Sequence, residues 1–257
     1  MHLWRVRHTW NELGRRDPFW AVLTWPDKRG NKWDLQEFLA TGHDEARRIV
    51  GYLDRVAPGV RRERALDFGC GAGRVSQALT EYFDQVVGVD VAASMIALAA
   101  QHNRVPDRCL FEVNRASHLR RFPSGSFDLV YSRLVLQHMP PRLARAYLPE
   151  LVRVLKSGGA LVFQLPGTDV DAQRQFVNAP VEGNALKRAL PRGIVRAWRA
   201  VKYEYIVRGD ASRMDMYGME KEDVIAVIES AGGRFLDIHD DRGHGTDASG
   251  FEYCVTK

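Results

Sequence analysis

The sequence of 257 residues predicts an α/β fold: a doubly wound, mostly parallel sheet of seven strands with helices on its faces. Short apolar strands alternate with amphipathic helices through the middle of the chain, as consecutive βα units require. A glycine-rich loop at 69–73 joins the first of these strands to its helix. The last two strands, at 234–239 and 251–256, are joined by a loop too short for a crossover, so they must be antiparallel.

Each element has its own local signal. The predicted strands are short apolar runs bounded by turn residues, and they lie at 65–68, 86–90, 110–114, 127–132, 160–165, 234–239 and 251–256. The predicted helices repeat apolar residues at helical spacing, and they lie at 44–57, 74–82, 92–103, 143–155 and 220–231.

Two segments do not follow this alternation of strands and helices. Residues 1–43 are rich in tryptophan and are broken by proline and glycine, which predicts an irregular, helical N-terminal cap. Residues 166–213 show no convincing strand, and a connection of this length is unusual in a compact α/β domain, so we predict an inserted helical lid. The chain is thus predicted to be a single domain over 1–257, with its core at 44–165 and 214–257.

Composition excludes several classes of protein. With 45% hydrophobic and 27% charged residues the chain is an ordinary globular protein, and its formal net charge of +5 gives only weak support for nucleic-acid binding. We expect no signal peptide, because the first residues lead into charged and polar positions, and the sequence has no apolar run long enough to span a membrane. Cys70, Cys109 and Cys254 lack the spacing of a zinc site or a disulfide framework, so a reducing cytoplasm is expected.

The glycine loop predicts a nucleoside site. Glycines between a strand and a helix let the backbone approach a ligand closely, and Asp90 ends the next strand, where its carboxylate is placed to accept both hydroxyl hydrogens of a ribose. A dinucleotide fingerprint requires its third glycine one place beyond Gly73, where Arg74 stands instead. This departure argues against a dehydrogenase.

Four segments, in this order, carry a family resemblance: ALDFGCGAGR, VVGVDVAASMI, FPSGSFDLVYSRLVLQHMP and LVRVLKSGGALVF. The chain resembles the class I S-adenosylmethionine-dependent methyltransferases over 65–165 and, more faintly, over 219–257. The resemblance implies their Rossmann-like fold, S-adenosyl-L-methionine as cofactor and S-adenosyl-L-homocysteine as product. The cofactor-binding residues it implies are Asp67, Phe68, Gly69, Gly71, Gly73, Asp90, Val91, Met95, Asn114, Arg115, Ala116 and Ser132.

The resemblance also implies roles. Asp67 would hold the ammonium group of the cofactor, directly or through water, while Asp90 would bind the ribose and Val91 and Met95 would pack on the adenine. Many relatives have an acidic residue after the third strand that accepts the adenine amino hydrogen, but this sequence has Asn114-Arg115-Ala116. Arginine cannot accept a hydrogen bond, so we expect the Asn114 amide or backbone groups near Ala116 to recognise the adenine.

His138 is the candidate catalytic residue. It follows the fourth strand at the carboxyl edge of the sheet, where ligands bind in such folds, and a histidine of ordinary pKa is suited to removing a proton near neutral pH. The alternative is a structural histidine near a helix end. Candidate residues for the acceptor are Trp33, Arg133, His239 and His244. We expect no metal site, because the polar loop around the last two is typical of an ordinary turn.

The predicted lid contains a basic amphipathic stretch at 185–203, with six lysines or arginines and no acidic residue. Such a stretch can pack its apolar stripe on the domain, lie on an anionic membrane surface or bind an acidic substrate. We expect in-line methyl transfer to an oxygen or nitrogen of a small or medium-sized acceptor, such as a specialised metabolite, a sugar or a lipid-linked glycan. We expect a monomer or homodimer and no nucleic-acid partner. Two alternatives stay open: a non-catalytic cofactor-binding regulatory protein, and a lipid-surface or RNA-binding protein acting through the basic stretch.

Overall fold

The computed structural model describes residues 3–167, 214–241 and 250–257. The strands in these ranges are β1 (Arg64–Phe68), β2 (Gln85–Asp90), β3 (Cys109–Val113), β4 (Phe127–Ser132), β5 (Leu155–Pro166), β6 (Arg234–Asp240) and β7 (Gly250–Thr256). The α-helices are α1 (Leu3–Arg16), α2 (Pro18–Val22), α3 (Leu35–Val56), α4 (Arg74–Leu79), α5 (Ala93–Gln101), α6 (Pro141–Val154) and α7 (Lys221–Ser230). Most of the predicted lid, including the basic stretch at 185–203, lies outside the described residues, as does His244.

The seven strands form one sheet in the order β3-β2-β1-β4-β5-β7-β6. The first five strands pair in parallel, and β7 pairs antiparallel with both β5 and β6. The predicted doubly wound sheet with its closing antiparallel hairpin is therefore confirmed. From β1 the chain first adds strands on one side (β2, β3) and then on the other (β4, β5), so the strand order switches direction between β1 and β4. Open α/β sheets bind ligands at such a switch point, outside the carboxyl ends of the strands, and here these are the ends of β1, β2 and β4.

Helices bury apolar side chains against both faces of the sheet. On one face Ile49 and Leu53 of α3 pack with Leu79 of α4 against the sheet. On the other face the buried side chains of α6 and α7, including Leu151 and Ile228, pack against the sheet. Complete burial of side chains of this size on both faces accounts for the stability of the central strands.

The structure corrects two predicted boundaries. The helix predicted over 44–57 begins at Leu35, where Asp34 caps it by accepting hydrogen bonds from the backbone N–H groups of Gln36 and Glu37 at 2.8 and 3.0 Å. Gly42, which the prediction treated as a break, lies inside this helix, and α3 passes so close to Arg74 there that a Cβ at Gly42 would stand 2.1 Å from the Arg74 carbonyl oxygen. The fifth strand also begins earlier than predicted, at Leu155.

The N-terminal cap is helical, as predicted. Helix α1 packs on α5 through a small apolar cluster that includes Leu13, Ala92 and Met95. A hydrogen bond also joins the two helices: the Oγ of Ser94 in α5 donates to the backbone carbonyl of Asn11 in α1 at 3.0 Å. These contacts place α1 and α2 above the carboxyl edge of the sheet. Among the described residues no helix has the length and apolar character needed to cross a membrane.

Candidate cofactor and acceptor site

A cavity of about 210 Å³ lies at the carboxyl ends of β1, β2 and β4. One side is built from the glycine loop after β1, the tip of β2 and the segment after β4. The other side is built from α1, α2 and residues 214–216. The predicted site residues that line it are Asp67, Phe68, Gly69, Gly71, Asp90, Val91, Met95, Asn114, Arg133 and His138.

The glycine loop has a backbone that only glycine adopts without strain. Gly69 has a φ of +82°, and a Cβ there would lie 2.3 Å from the side chain of Val135. The loop is anchored to β2, since the N–H groups of Gly69 and Cys70 both donate to the carbonyl of Val89, at 2.7 and 3.0 Å. The loop therefore presents its backbone directly to the cavity.

Asp90 is fixed by the loop that it faces. Its Oδ2 accepts a hydrogen bond from the N–H of Gly71 at 3.0 Å, and its Oδ1 accepts one from the N–H of Ala92 at 2.8 Å. Burial raises the pKa of this carboxyl, while the backbone N–H donors oppose the rise. A carboxylate offers about four lone-pair sites, so both oxygens keep capacity for a pair of ligand hydroxyls.

Asp67 is a second, more deeply buried carboxylate in the cavity wall, and its residue is only 4% exposed. Ser76 Oγ donates to its Oδ2 at 2.6 Å. Burial raises the pKa of Asp67 to about 6, although the Ser76 hydroxyl and the charge of Arg74 both act to lower it. At neutral pH the cavity thus contains a largely ionised carboxylate with little water around it.

His138 lines the part of the cavity under α1, where its ring meets the edge of Trp10 at 5.0 Å between centroids. Its Nδ1 lies 3.0 Å from the carbonyl oxygen of Asp215, and a carbonyl can only accept, so Nδ1 carries the proton. Nε2 is therefore the lone-pair nitrogen, and the amide of Gln137 donates to it at 3.2 Å. Burial lowers the pKa of His138 to about 4, which keeps the ring neutral at pH 7.

At the far end of the cavity, Asn114 is held in a polar turn. Its Nδ2 donates to the carbonyl of His118 at 3.3 Å, and its Oδ1 accepts from the N–H of Ala116 at 3.4 Å. Tyr147 closes this end, because its hydroxyl donates to the Ala116 carbonyl and its ring packs on Phe68 at 4.8 Å. Asn114 is therefore the one member of the predicted Asn-Arg-Ala group that reaches this cavity.

Several predicted site residues lie elsewhere in the part of the chain that the structure describes: Gly73, Arg115, Ala116, Ser132, Trp33 and His239. Gly73 precedes α4 and faces the ring of Phe111 instead of the cavity. Arg115 and Ala116 line a separate shallow pocket beside Asn114. Ser132 is buried at the end of β4, and its Oγ has no hydrogen-bond partner among the described residues.

Trp33 and His239 each have partners that hold them away from the cavity. Trp33 is buried and packs against Trp25 and Phe38, with ring centroids 4.8 and 5.8 Å apart, and it is Trp25 that lines the cavity. His239 Nδ1 lies 3.0 Å from Asp237 Oδ2. Both residues thus belong to the packing around the site.

An ionic cluster, defined as Glu45, Arg48, Tyr131, Arg133, Asp241 and Glu252, adjoins the cavity. The Arg133 guanidinium lies 3.3 Å from Glu45 and 3.0 Å from Asp241. Arg48 binds both carboxylate oxygens of Glu252, at 2.9 and 2.8 Å, although Glu252 is only 1% exposed. Arg133 was predicted to bind the acceptor, but the carboxylates of the protein itself already balance its charge.

Sequence reasoning missed most of this cluster and much of the acceptor side of the cavity. Pairs such as Arg48 and Glu252 are 204 positions apart, so no local pattern links them. The missed residues of the acceptor side are Trp10, Gln137, Gln164, Met214 and Met216. A local signal did exist for Arg74, which follows the glycine loop directly and also lines the cavity.

Comparisons with known proteins agree with this geometry. Residues 66–163 match the methyltransferase domain family. A trans-aconitate 2-methyltransferase from Azoarcus sp. (strain BH72) is 28% identical over 203 residues, which are 77% of this chain and 77% of the relative. A ubiquinone biosynthesis O-methyltransferase from Paracidovorax citrulli is 29% identical over 63% of this chain and 66% of the relative.

Solved structures show the same fold. Magnesium protoporphyrin IX methyltransferase from Synechocystis PCC 6803, solved with bound S-adenosylhomocysteine, matches with a TM-score of 0.60 and 16% identity, over 98% of each chain. A methyltransferase from Leishmania major matches with a TM-score of 0.62 and 14% identity, over 98% of this chain and 83% of that one. Among the curated relatives, coverage is uneven: the chain spans only 50% of a trans-aconitate 2-methyltransferase from Rhodopseudomonas palustris.

Proposed function

Because this chain belongs to the class I S-adenosylmethionine-dependent methyltransferases, we propose that it methylates an oxygen or nitrogen atom of a small or medium-sized acceptor. The observation that carries the proposal is the continuity of the cavity. One end has the two carboxylates and the glycine loop, and the other end, beneath α1, has Trp10, His138 and Met214. A donor and an acceptor can therefore meet in one continuous space.

The cofactor end fits S-adenosylmethionine. Gly69 leaves open a cradle that a side chain would fill, Asp90 has free lone pairs on a fixed carboxylate, and Asp67 supplies a buried negative charge for an ammonium group. When bound, S-adenosylmethionine supplies an activated methyl group on a positively charged sulfur. The protein residues contribute orientation, and holding reacting groups in line accounts for several kcal/mol of the barrier.

His138 is proposed to orient the acceptor and take up its proton. Nε2 has its lone pair available because the Asp215 carbonyl fixes the proton on Nδ1. With a pKa of about 4 the ring is a weak base, so it is suited to an acceptor hydroxyl whose acidity increases as the carbon–oxygen bond forms. The Gln137 amide competes for the same lone pair at 3.2 Å and would have to turn away or be replaced by the acceptor.

The lining favours an acceptor without a net negative charge. The described acceptor-side residues are largely apolar, and the charge of Arg133 is balanced by Glu45 and Asp241. A neutral, partly apolar hydroxyl compound, such as a specialised metabolite, fits this lining better than a tricarboxylate does. A sugar is a second candidate acceptor, and a lipid-linked glycan is a third that depends on membrane contact by the basic stretch at 185–203. We further propose that the protein acts in the cytoplasm, as a monomer or homodimer, on small molecules and not on nucleic acid.

The test is formation of S-adenosylhomocysteine by the purified protein in fractionated metabolite mixtures, followed by mass spectrometry of the methylated product. Turnover is expected with neutral hydroxyl compounds, and His138→Gln is expected to lower kcat with little change in cofactor affinity. Micromolar cofactor binding with no turnover in any fraction would support the non-catalytic alternative. Binding to liposomes or RNA that survives physiological salt, without turnover, would support the surface-binding alternative.

A further inference from the structure

Arg74 is a buried cation at the start of α4, and it is only 8% exposed. It lines the same cavity as Asp67 and Gly69. Helix α3 lies directly against its backbone, since a Cβ at Gly42 would stand 2.1 Å from the Arg74 carbonyl oxygen. The guanidinium lies beside α3, where Nη1 donates to the carbonyl of Thr41 at 3.1 Å. The backbone and the side chain of Arg74 are therefore both held in place.

Among the residues that the structure describes, no carboxylate lies within ion-pair distance of the Arg74 guanidinium, although the charges of Glu45 and Asp67 act on it from farther away. Its Nε is buried without an acceptor, and its one hydrogen bond goes to a neutral carbonyl. By contrast, Arg133, whose side chain is 10% exposed, and Arg48, whose side chain is 37% exposed, each form ion pairs with at least two carboxylates. A buried charge is costly unless it is paired, so an unpaired arginine in a cavity wall indicates an anionic ligand group. Burial lowers the pKa of Arg74, in agreement with an incompletely compensated charge.

We propose that Arg74 binds the carboxylate of the methionine part of S-adenosylmethionine. This inference rests on the cofactor and is independent of the acceptor. S-adenosylmethionine has one anionic group, and Asp67 and Asp90 would repel it electrostatically. Of the charged side chains that line the described part of the cavity, Arg74 is the cation that has no carboxylate within ion-pair distance. The planar fork of a guanidinium also matches the geometry of a carboxylate.

The test compares two ligands by isothermal titration calorimetry. S-adenosylmethionine carries the amino-acid group, whereas 5′-methylthioadenosine keeps the adenosine and the sulfur but lacks that group. Replacing Arg74 with Gln is expected to weaken S-adenosylmethionine binding by about 10- to 100-fold, the range for a hydrogen bond to a charged group. Binding of 5′-methylthioadenosine is expected to change by less than about threefold, because it has no carboxylate to lose.

Two further variants keep the experiment decisive. Arg74→Lys keeps the charge without the fork, so an intermediate loss of S-adenosylmethionine affinity is expected even if Arg74→Gln folds poorly. Arg142→Gln removes an exposed arginine of α6 and is the matched control, with no expected change for either ligand.

Equal weakening of both ligands by Arg74→Gln would overturn the proposal and indicate a structural role. Unchanged S-adenosylmethionine affinity in this variant, with turnover intact, would overturn it and leave the proposed function standing. Failure of the wild-type protein to bind S-adenosylmethionine at all would overturn both.

Discussion

Replacing Asp67 with Asn is predicted to stabilise the protein while weakening cofactor binding. Burial raises the pKa of Asp67 from 3.8 to about 6, so the folded protein favours the protonated carboxyl more than the unfolded chain does. At about 1.4 kcal/mol for each pH unit between these values, ionised Asp67 lowers the free energy of unfolding at pH 7 by about 3 kcal/mol. Asparagine has nearly the same shape and no charge to bury.

The pH dependence has a definite sign. The folded-state pKa lies above the unfolded value, so the destabilisation is fully present above pH 6, decreases as the pH falls from 6 to 4, and is absent below 3.8. Thermal unfolding followed by circular dichroism should therefore show the variant melting about 6–12 °C higher at pH 7. The difference should decrease steadily between pH 6 and pH 4.

The same substitution removes the charge that is proposed to hold the cofactor's ammonium group, so calorimetry should show weaker S-adenosylmethionine binding. Ser76→Ala is the companion variant, because the Ser76 hydroxyl donates to Asp67 at 2.6 Å and stabilises its ionised form. That variant should melt lower than the wild type at pH 7. The reasoning is refuted if Asp67→Asn melts below the wild type at pH 7, or if its difference from wild type is the same at every pH from 4 to 8.

Three further predictions concern other parts of the site. Asp90→Ala should weaken S-adenosylmethionine binding in calorimetry by about 100-fold, and Asp90→Asn by less, because asparagine keeps one acceptor oxygen; equal affinity in all three proteins would contradict the ribose role. Burial alone would raise the pKa of Glu45, but two neighbouring arginines and a tyrosine hydroxyl outweigh it and lower the pKa to about 2. Replacing Glu45 with Gln should therefore lower the free energy of unfolding at pH 7 by about 3 kcal/mol. The difference in melting temperature between this variant and the wild type should decrease as the pH falls from 4.5 towards 2. A difference that increases in acid would contradict this. Gly42→Ala should lower the free energy of unfolding in urea by about 1–3 kcal/mol, because its Cβ would overlap the Arg74 carbonyl, whereas Gly51→Ala on the same helix meets open space and should be neutral or stabilising.

The parts of the fold that the sequence predicted are those encoded by neighbouring residues. Strand, glycine loop and helix follow one another within 64–79, and Asp90 ends the next strand, so their meeting at one edge of the sheet follows from parallel pairing alone. The start of α3 was missed because Gly42 resembles a helix break in the sequence. Its small size is required by a contact with Arg74, which is 32 positions away, and no local pattern contains that information.

The ionic cluster shows the same limit more clearly. Glu252 reaches Arg48 only because β7 inserts between β5 and β6 at the end of the chain. The protonation state of His138 could not be predicted from the sequence either, because burial lowers its pKa to about 4 even though the hydrogen bond to the Asp215 carbonyl acts to raise it. Sequence reasoning identified the histidine and its position, but the tautomer and the base strength depend on tertiary contacts.

Asp67 and Arg74 together suggest how the site recognises its cofactor. They line one cavity with opposite charges, yet their hydrogen bonds go to Ser76 and Thr41 and not to each other. An amino-acid group carries an ammonium and a carboxylate on one carbon, so it would neutralise both buried charges at once. S-adenosylhomocysteine keeps the same amino-acid group, so under this proposal the two residues would bind cofactor and product alike. Discrimination between the two must then come from the sulfonium charge, which the carboxylates of Asp67 and Asp90 attract and which is lost when the methyl group is transferred.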